Sequence, residues 1–332
     1  MTDDARPPHH TDTGFENRYP LPDGKKTFFT FLKRRYFGDE NWPKAKHQHG
    51  KTPQELPNLE AIHAPDPTQA QITWIGHASA LVQYGGINIL TDPVFSHRAS
   101  PLRFAGPRRY SPPGLRIDQL PKIDMVVLSH NHYDHFDLHS LREIGTGPRH
   151  IVPLRNGALL QQAGIDTCHE LDWDQSLTLD GVTVTLLPSY HWSSRKLSDR
   201  KQMLWGGYGF EFADGFKFYF AGDSGWNEKL FSEMGAQYGP FDLGLIPIGA
   251  YEPRDFMERA HVNPYEAVQL KQAMGVKQAI AIHWGTFVLT SEPVDEPPQK
   301  LRHALHEAGI AADEFQAVPI GATRIFSRDP GP

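Results

Sequence analysis

A chain of 332 residues, 39% apolar and 22% charged, can bury a large core as one big domain or as two halves fused into one. The formal charge of −6 argues against nucleic-acid binding through a basic surface, and the single cysteine, Cys168, excludes both an intrachain disulfide framework and cysteine-rich zinc sites. No apolar run approaches the roughly 18 residues that span a bilayer, and residues 1–10 lack the apolar core of a secretory signal, so a cytoplasmic location is expected.

Residues 1–22 carry Pro, Asp, Thr and His without periodicity and read as a disordered arm. Residues 23–70 read as an extension wrapping the surface. Within it, residues 25–37 place Phe28, Phe31, Leu32 and Arg35 at helical spacing, with five basic residues among five aromatics and one leucine. This segment either packs its aromatics on the main domain or lies peripherally on the inner membrane surface; its flat aromatic face also leaves a homodimer open. The folded body then runs from 71 to 332. Segments 72–75, 80–84 and 87–91 read as short strands, with Gly85-Gly86 closing a hairpin. A long loop over 92–121 precedes a strand at 124–128. Further strands are expected at 151–153, 182–187, 216–220, 243–246, 279–282 and 323–326, and helices at 138–144, 156–163 and 299–308. Asn263, Pro264 and Glu266 open another helix that runs to about Met274. Strands in clusters alternating with helices predict sheets covered by helices.

After the strand at 124–128 comes Ser129-His130-Asn131-His132-Tyr133-Asp134-His135. Imidazole and carboxylate are the donors that hold zinc and similar divalent ions. Residues two apart on an extended segment share a side, so His130 and His132 can grip one ion, while Asp134 and His135 can face a second beside it. Three later strands each deliver one such residue to a loop: His191 after 182–187, Asp223 after 216–220 and His283 after 279–282. Singly each is ordinary; together they converge on a two-metal hydrolytic centre.

The run His130-Asn131-His132-Tyr133-Asp134-His135, followed in order by His191, Asp223 and His283, resembles the H-x-H-x-D-H pattern of the metallo-β-lactamase superfamily. Trp74-Ile75-Gly76-His77-Ala78, Leu90-Thr91-Asp92-Pro93, Phe104-Ala105-Gly106-Pro107, Phe220-Ala221-Gly222-Asp223 and Ala281-Ile282-His283-Trp284-Gly285-Thr286 narrow the likeness to the N-acylphosphatidylethanolamine-hydrolysing phospholipases D. The resemblance implies an α+β fold, an αββα sandwich of two facing sheets with both metals at one edge. It implies that His130, His132 and His191 hold one metal, that Asp134, His135 and His283 hold the other, and that Asp223 bridges them. Two Zn2+ ions are expected, with Mn2+ or Fe also suited to these donors. Asp134 would serve both as ligand and as orienter of a metal-bridging hydroxide. His261 is similar to an additional active-site histidine of the family, binding a substrate oxygen or protonating the leaving alkoxide, unless it is a surface-loop residue.

Around this centre, Asp92 either accepts an imidazole N–H or forms the turn before Pro93, and His77 either supports a ligand or is structural. Arg98, Arg103, Arg108 and Arg109 either clasp a phosphodiester or anchor their own loop to carbonyls and carboxylates. Trp192 and Tyr251 either wall an acyl pocket or belong to the core. The leading expectation is a phosphodiesterase that cleaves N-acylphosphatidylethanolamine to N-acylethanolamine and phosphatidic acid. A lactonase or small-molecule or nucleotide phosphodiesterase would keep the same metal centre, and a non-catalytic regulatory module would keep only the metal.

Overall fold

The computed structural model describes residues 6–20, 28–38 and 42–327. Residues with β-branched and aromatic side chains build most of the strands. One sheet contains β1 (Ala70–Gly76), β2 (Ser79–Tyr84), β3 (Ile87–Thr91), β4 (Met125–Val127), β5 (Arg149–Pro153) and β6 (His169–Leu171) in that spatial order. The other contains β7 (Ser176–Leu179), β8 (Val182–Leu187), β9 (Gly207–Phe212), β10 (Lys217–Phe220), β11 (Phe241–Pro247), β12 (Val276–Ile282) and β13 (Phe315–Gln316). The last strand, β14 (Thr323–Phe326), returns to the first sheet beside β1, giving seven strands in each.

In each sheet one half is antiparallel and the other parallel: β3 to β6, and β10 to β13, run in the same direction. Parallel neighbours require crossovers, and helices supply them: Leu138–Ile144 and Gly157–Gln162 for the first sheet, Glu228–Tyr238, Pro264–Ala273 and Pro297–Ala308 for the second. Alternation along β1 to β4 divides the apolar residues between two cores. Trp74, Val82, Ile89 and Val127 face the second sheet, whereas Ile75, Leu81, Leu90 and Val126 face the helices. Both faces are therefore covered, and the expected αββα sandwich is what forms. The helix at 264–273 begins with the capping box foreseen, Asn263 and Glu266 exchanging side-chain-to-backbone bonds.

The N-terminal segment differs from expectation. Residues 6–20 pack on the body: Phe15 is buried, the His9 ring stacks on Trp173 at 4.4 Å, and Tyr190 donates its hydroxyl to the Pro20 carbonyl. One apolar anchor and a set of side-chain bonds hold this segment, which hydrophobic periodicity does not reveal. The rest of the arm, 1–5 and 21–22, lies outside the described residues, as do 25–27 of the basic aromatic stretch. Helix Phe28–Phe37 forms where the spacing placed it. Its Arg34 pairs with Asp255 at 2.6 Å, Arg35 lies over the Trp42 ring and donates to the Leu289 carbonyl, and Phe37 is 86% exposed. Among the described residues no helix is long and apolar enough to cross a membrane.

Candidate metal centre

The C-terminal ends of strands from both sheets meet at one edge of the sandwich. β1 ends at His77, β3 at Asp92, β4 at the histidine cluster, β8 at His191, β10 at Asp223 and β12 at His283. Ligand sites in sheets with parallel strands lie beyond these carboxyl ends, where loops diverge and leave room. His77, Asp92 and His283 have φ of 55°, 32° and 61°, the left-handed region that side-chain-bearing residues avoid. Each costs on the order of 1–2 kcal/mol, a local strain that the surrounding packing offsets. Gly222 is required for a different reason: a Cβ there would sit 2.7 Å from the Ser129 Cβ, so only glycine lets Asp223 approach the histidine loop.

Two groups of donors face each other. In the first, His130 Nε2 lies 2.8 Å and His191 Nε2 3.3 Å from His132 Nδ1. In the second, Asp134 Oδ2 lies 3.6 Å from His135 Nε2 and 3.5 Å from His283 Nε2. Asp223 stands between them. Its Oδ2 is 3.8 Å from both His130 Nε2 and His191 Nε2 and 3.1 Å from His135 Nε2, while Oδ1 is 3.2 Å from His283 Nε2. His261 approaches from the loop after β11, its Nδ1 3.8 Å from Asp223 Oδ2.

Hydrogen bonds on the far side of each ring decide which nitrogen faces inward. The Ala260 carbonyl can only accept, so His191 Nδ1 donates to it at 2.9 Å and Nε2 keeps its lone pair. Asp92 accepts from His135 Nδ1 at 2.6 Å and from Ser129 through both N–H (2.7 Å) and Oγ–H (2.6 Å). With its proton given to Asp92, the Ser129 hydroxyl accepts from His130 Nδ1 at 2.9 Å. Three imidazoles are thus held with Nε2 directed into the site, the arrangement metal-ligating histidines need.

Electrostatics agree. Burial pushes His191 and His261 down to about 3, His132 to about 4 and His130 well below its ordinary value, so these rings stay neutral donors. Against the same burial, the carboxylates Asp223 and Asp134 lift His283 to about 9 and His135 well above its usual range. Burial also opposes ionisation of Asp134 and Asp223, yet the neighbouring imidazoles hold both well below the ordinary carboxylate range. The pocket is built for positive charge. Buried His135 Nε2, His283 Nε2 and Asp223 Oδ1 have no hydrogen-bond partner. Orphaned buried atoms cost roughly 1–3 kcal/mol each. Here they lie together around Asp223, beside the group formed by His130 Nε2, His132 Nδ1 and His191 Nε2, and that set of ligand atoms fits divalent cations.

The seven residues anticipated as ligands are all brought together, with His261 and Asp92 beside them. Of the two readings of His77, the geometry favours support of a ligand: its Nε2 lies 3.0 Å from Asp134 Oδ2 and its ring 4.0 Å from that of His283. The arginines divide. Arg98 is bound to the Arg103 and Gly106 carbonyls, and buried Arg109 to those of Ser96 and Val94, with its guanidinium over Phe287. These two anchor their own loop. Arg103 and Arg108 are exposed. Half-buried Trp192 packs edge-on against His132 at 4.5 Å, but Tyr251 is buried and donates to Glu296 at 2.6 Å, which makes it core. One residue was missed. Asn17 pairs with the backbone of His191, donating Nδ2–H to its carbonyl at 2.9 Å and accepting its N–H at 3.1 Å. Nothing in the local sequence marks it, because the partner is 174 residues away.

Comparison with known proteins adds the family. The beta-lactamase superfamily domain matches residues 87–284. The N-acyl-phosphatidylethanolamine-hydrolyzing phospholipase D 1 of Caenorhabditis elegans is 41% identical over 246 residues, covering 70% of this chain and 69% of that one. The chain belongs to this family of the beta-lactamase superfamily. A metal-dependent hydrolase of Rubrobacter xylanophilus is 31% identical over 224 residues, covering 65% of this chain and 82% of its own. Among solved structures, the isothiocyanate hydrolase from Delia radicum gut bacteria superposes with a TM-score of 0.63 over 78% of this chain and all of that one (100%), at 22% identity, and so shares the fold. The chain is a metal-dependent hydrolase of the metallo-β-lactamase fold.

Proposed function

We propose that the protein is a binuclear phosphodiesterase of phospholipase D type, releasing N-acylethanolamine and phosphatidic acid from N-acylphosphatidylethanolamine. The observation that carries the binuclear reading is Asp223, whose two oxygens reach both donor groups. His130, His132 and His191 would hold one ion, Asp134, His135 and His283 the other, with Asp223 shared; zinc suits these donors. Bound there, divalent ions supply Lewis acidity that acidifies water and offsets charge developing on phosphoryl oxygens.

The chain's own residues do the rest. Asp134, fixed by the His77 Nε2–H, keeps an oxygen free to accept a hydrogen bond from the attacking water and so orient it at phosphorus. His261, whose side chain is 12% exposed, borders the donor groups and, as a neutral imidazole, can give a substrate oxygen or the departing alkoxide a hydrogen bond. The lipid assignment is supported by the name and 41% identity of the nematode relative. Peripheral contact with a phospholipid surface through helix 28–37 is supported by exposed Lys33 and Phe37.

The test is mass spectrometry of products from a mixed panel of N-acylphosphatidylethanolamines, lactones and cyclic nucleotides, with and without chelator. Chelator-sensitive release of N-acylethanolamine and phosphatidic acid is expected. Turnover confined to lactones or cyclic nucleotides would overturn the lipid reading while leaving the metal centre in place.

A further inference from the structure

We propose that the N-terminal arm carries an additional metal site, formed by His9, His10 and Asp172, that staples the arm to the sandwich. His9 Nε2 lies 2.6 Å from Asp172 Oδ1, and His10 Nε2 lies 2.7 Å from Asp172 Oδ2. The donor atoms of all three residues lie within 4.8 Å of one another. No residue of the group belongs to the centre described above, so the inference does not depend on the chemistry proposed there.

The arrangement is organised in advance. The His9 ring is held flat on Trp173 at 4.4 Å, and the His10 ring stands edge-on to Phe15 at 4.9 Å. Each packing contact turns Nε2 toward the same carboxylate. Asp172 is fixed in turn: its own N–H donates to Gln175 Oε1 at 3.0 Å, and its Oδ1 accepts the Trp173 N–H at 2.8 Å. The side chains of His9 and Asp172 are each only 9% exposed, and that of His10 is 21% exposed. A cavity of about 570 Å³, lined by His9, Asn17, Arg18, Asp172, Trp173 and Asp174, opens beside them and gives an entry path and space for an exchangeable fourth ligand.

Two imidazoles and one carboxylate form a borderline donor set, suited to Zn2+ and its neighbours rather than to Ca2+ or Mg2+. The ligands are 162 and 163 residues apart, so an ion here closes a long loop, as a disulfide would in an oxidising compartment. It would also have a consequence at the hydrolytic centre, because the stapled arm carries Asn17, which grips the backbone of His191.

Metal content of the full chain equilibrated against buffered free Zn2+ tests the site. The His9→Gln/His10→Gln double variant should hold one equivalent fewer per chain than wild type; equal contents would overturn the proposal. Since that variant could release the arm, the second measurement uses the unaltered chain: carbethoxylation of His9 and His10 by diethyl pyrocarbonate, read by mass spectrometry with and without Zn2+. Zinc should suppress labelling of both. Labelling unchanged by zinc would show that the two rings merely hydrogen-bond Asp172, whatever the double variant does.

Discussion

Asp92 shows how much one buried carboxylate organises. Its side chain is fully buried, and burial raises its pKa despite bonds from His135 and Ser129 that pull the other way. It accepts three hydrogen bonds on two oxygens. An asparagine has a single oxygen, so in Asp92→Asn an NH2 must confront either the Ser129 N–H or the His135 Nδ1–H. In the second case the ring is pushed to its other tautomer and its lone pair turns away from the site. Loss of such a partner typically weakens metal binding 10–100-fold. Competition against a chromophoric chelator should show a fall of that size in Asp92→Asn; unchanged affinity would mean that His135 is no ligand. Asp223→Ala should go further and abolish turnover in a folded protein, because both donor groups lose their shared carboxylate. The ligands were legible because they come at ligand spacing or at strand ends, in an order a family uses. His77 stayed ambiguous because one histidine after a strand has no spacing partner to disclose its role. The arginines were ambiguous on chemical grounds, as a guanidinium satisfies a backbone carbonyl as readily as a phosphate.

At the level of elements, runs such as Ile87–Thr91 and Val182–Leu187 announced themselves as strands, and Asn263-Pro264 announced a helix. β9 did not. Its sequence, Gly-Tyr-Gly-Phe-Glu-Phe, looks like a turn, yet a Cβ at Gly207 would lie 2.6 Å from the Phe220 carbonyl, so glycine is what permits close pairing there. Helix 228–238 was also missed, although Asn227 caps it by accepting the Leu230 N–H at 2.9 Å; Leu230, Phe231 and Met234 pack it onto the second sheet. The arm at 6–20 makes its own prediction. Asn17→Ala removes two hydrogen bonds to the His191 backbone, each worth about 1 kcal/mol net. Thermal melting of the metal-loaded protein should fall by a few degrees, and turnover should drop with it; an unchanged melting curve would mean the arm is dispensable. β5 supplies a pH effect. His150 is buried in it with Nε2 unpartnered, and burial lowers its pKa to about 4. The unfolded chain takes up this proton near pH 6.5 and the folded one only near 4, so stability is lost as pH falls through that window. The loss amounts to about 3 kcal/mol at its limit. Chemical denaturation of His150→Leu at pH 7 and pH 5 should show a correspondingly shallower pH dependence than wild type. Equal slopes would exclude His150 as the cause.

For the whole molecule, the question is how an enzyme bearing a net charge of −6 would meet a phospholipid surface. The arginine loop and the 193–201 loop both flank the histidine cluster: Arg103 lies 3.4 Å from His139, and Arg195 stacks over Tyr133 at 3.9 Å. Each loop exposes apolar side chains that a soluble protein normally covers, Phe104 at 80%, Leu102 at 47% and Leu197 at 81%. Basic residues stand among them, with Arg103, Arg108 and Lys196 on the surface. Helix 28–37 joins the same region, since Arg35 reaches the Leu289 carbonyl while Arg109 of the arginine loop covers Phe287. An apolar tip ringed by cations suits a bilayer interface, where the rings bury and the guanidinium groups meet phosphate. The entrance to the metal centre would then face the lipid even though the protein as a whole is acidic. Burial of one phenylalanine contributes about 2 kcal/mol, so Leu102→Asp/Phe104→Asp should weaken binding to anionic vesicles at least ~10-fold. Hydrolysis of a soluble, short-chain phosphodiester should be unaffected, because neither residue touches the metal-centre side chains. High salt should weaken wild-type vesicle binding as well, through screening of the arginines. Co-sedimentation with vesicles measures both effects. If the double variant sediments like wild type, the loops do not contact lipid, and substrate must be drawn out of the membrane by another face.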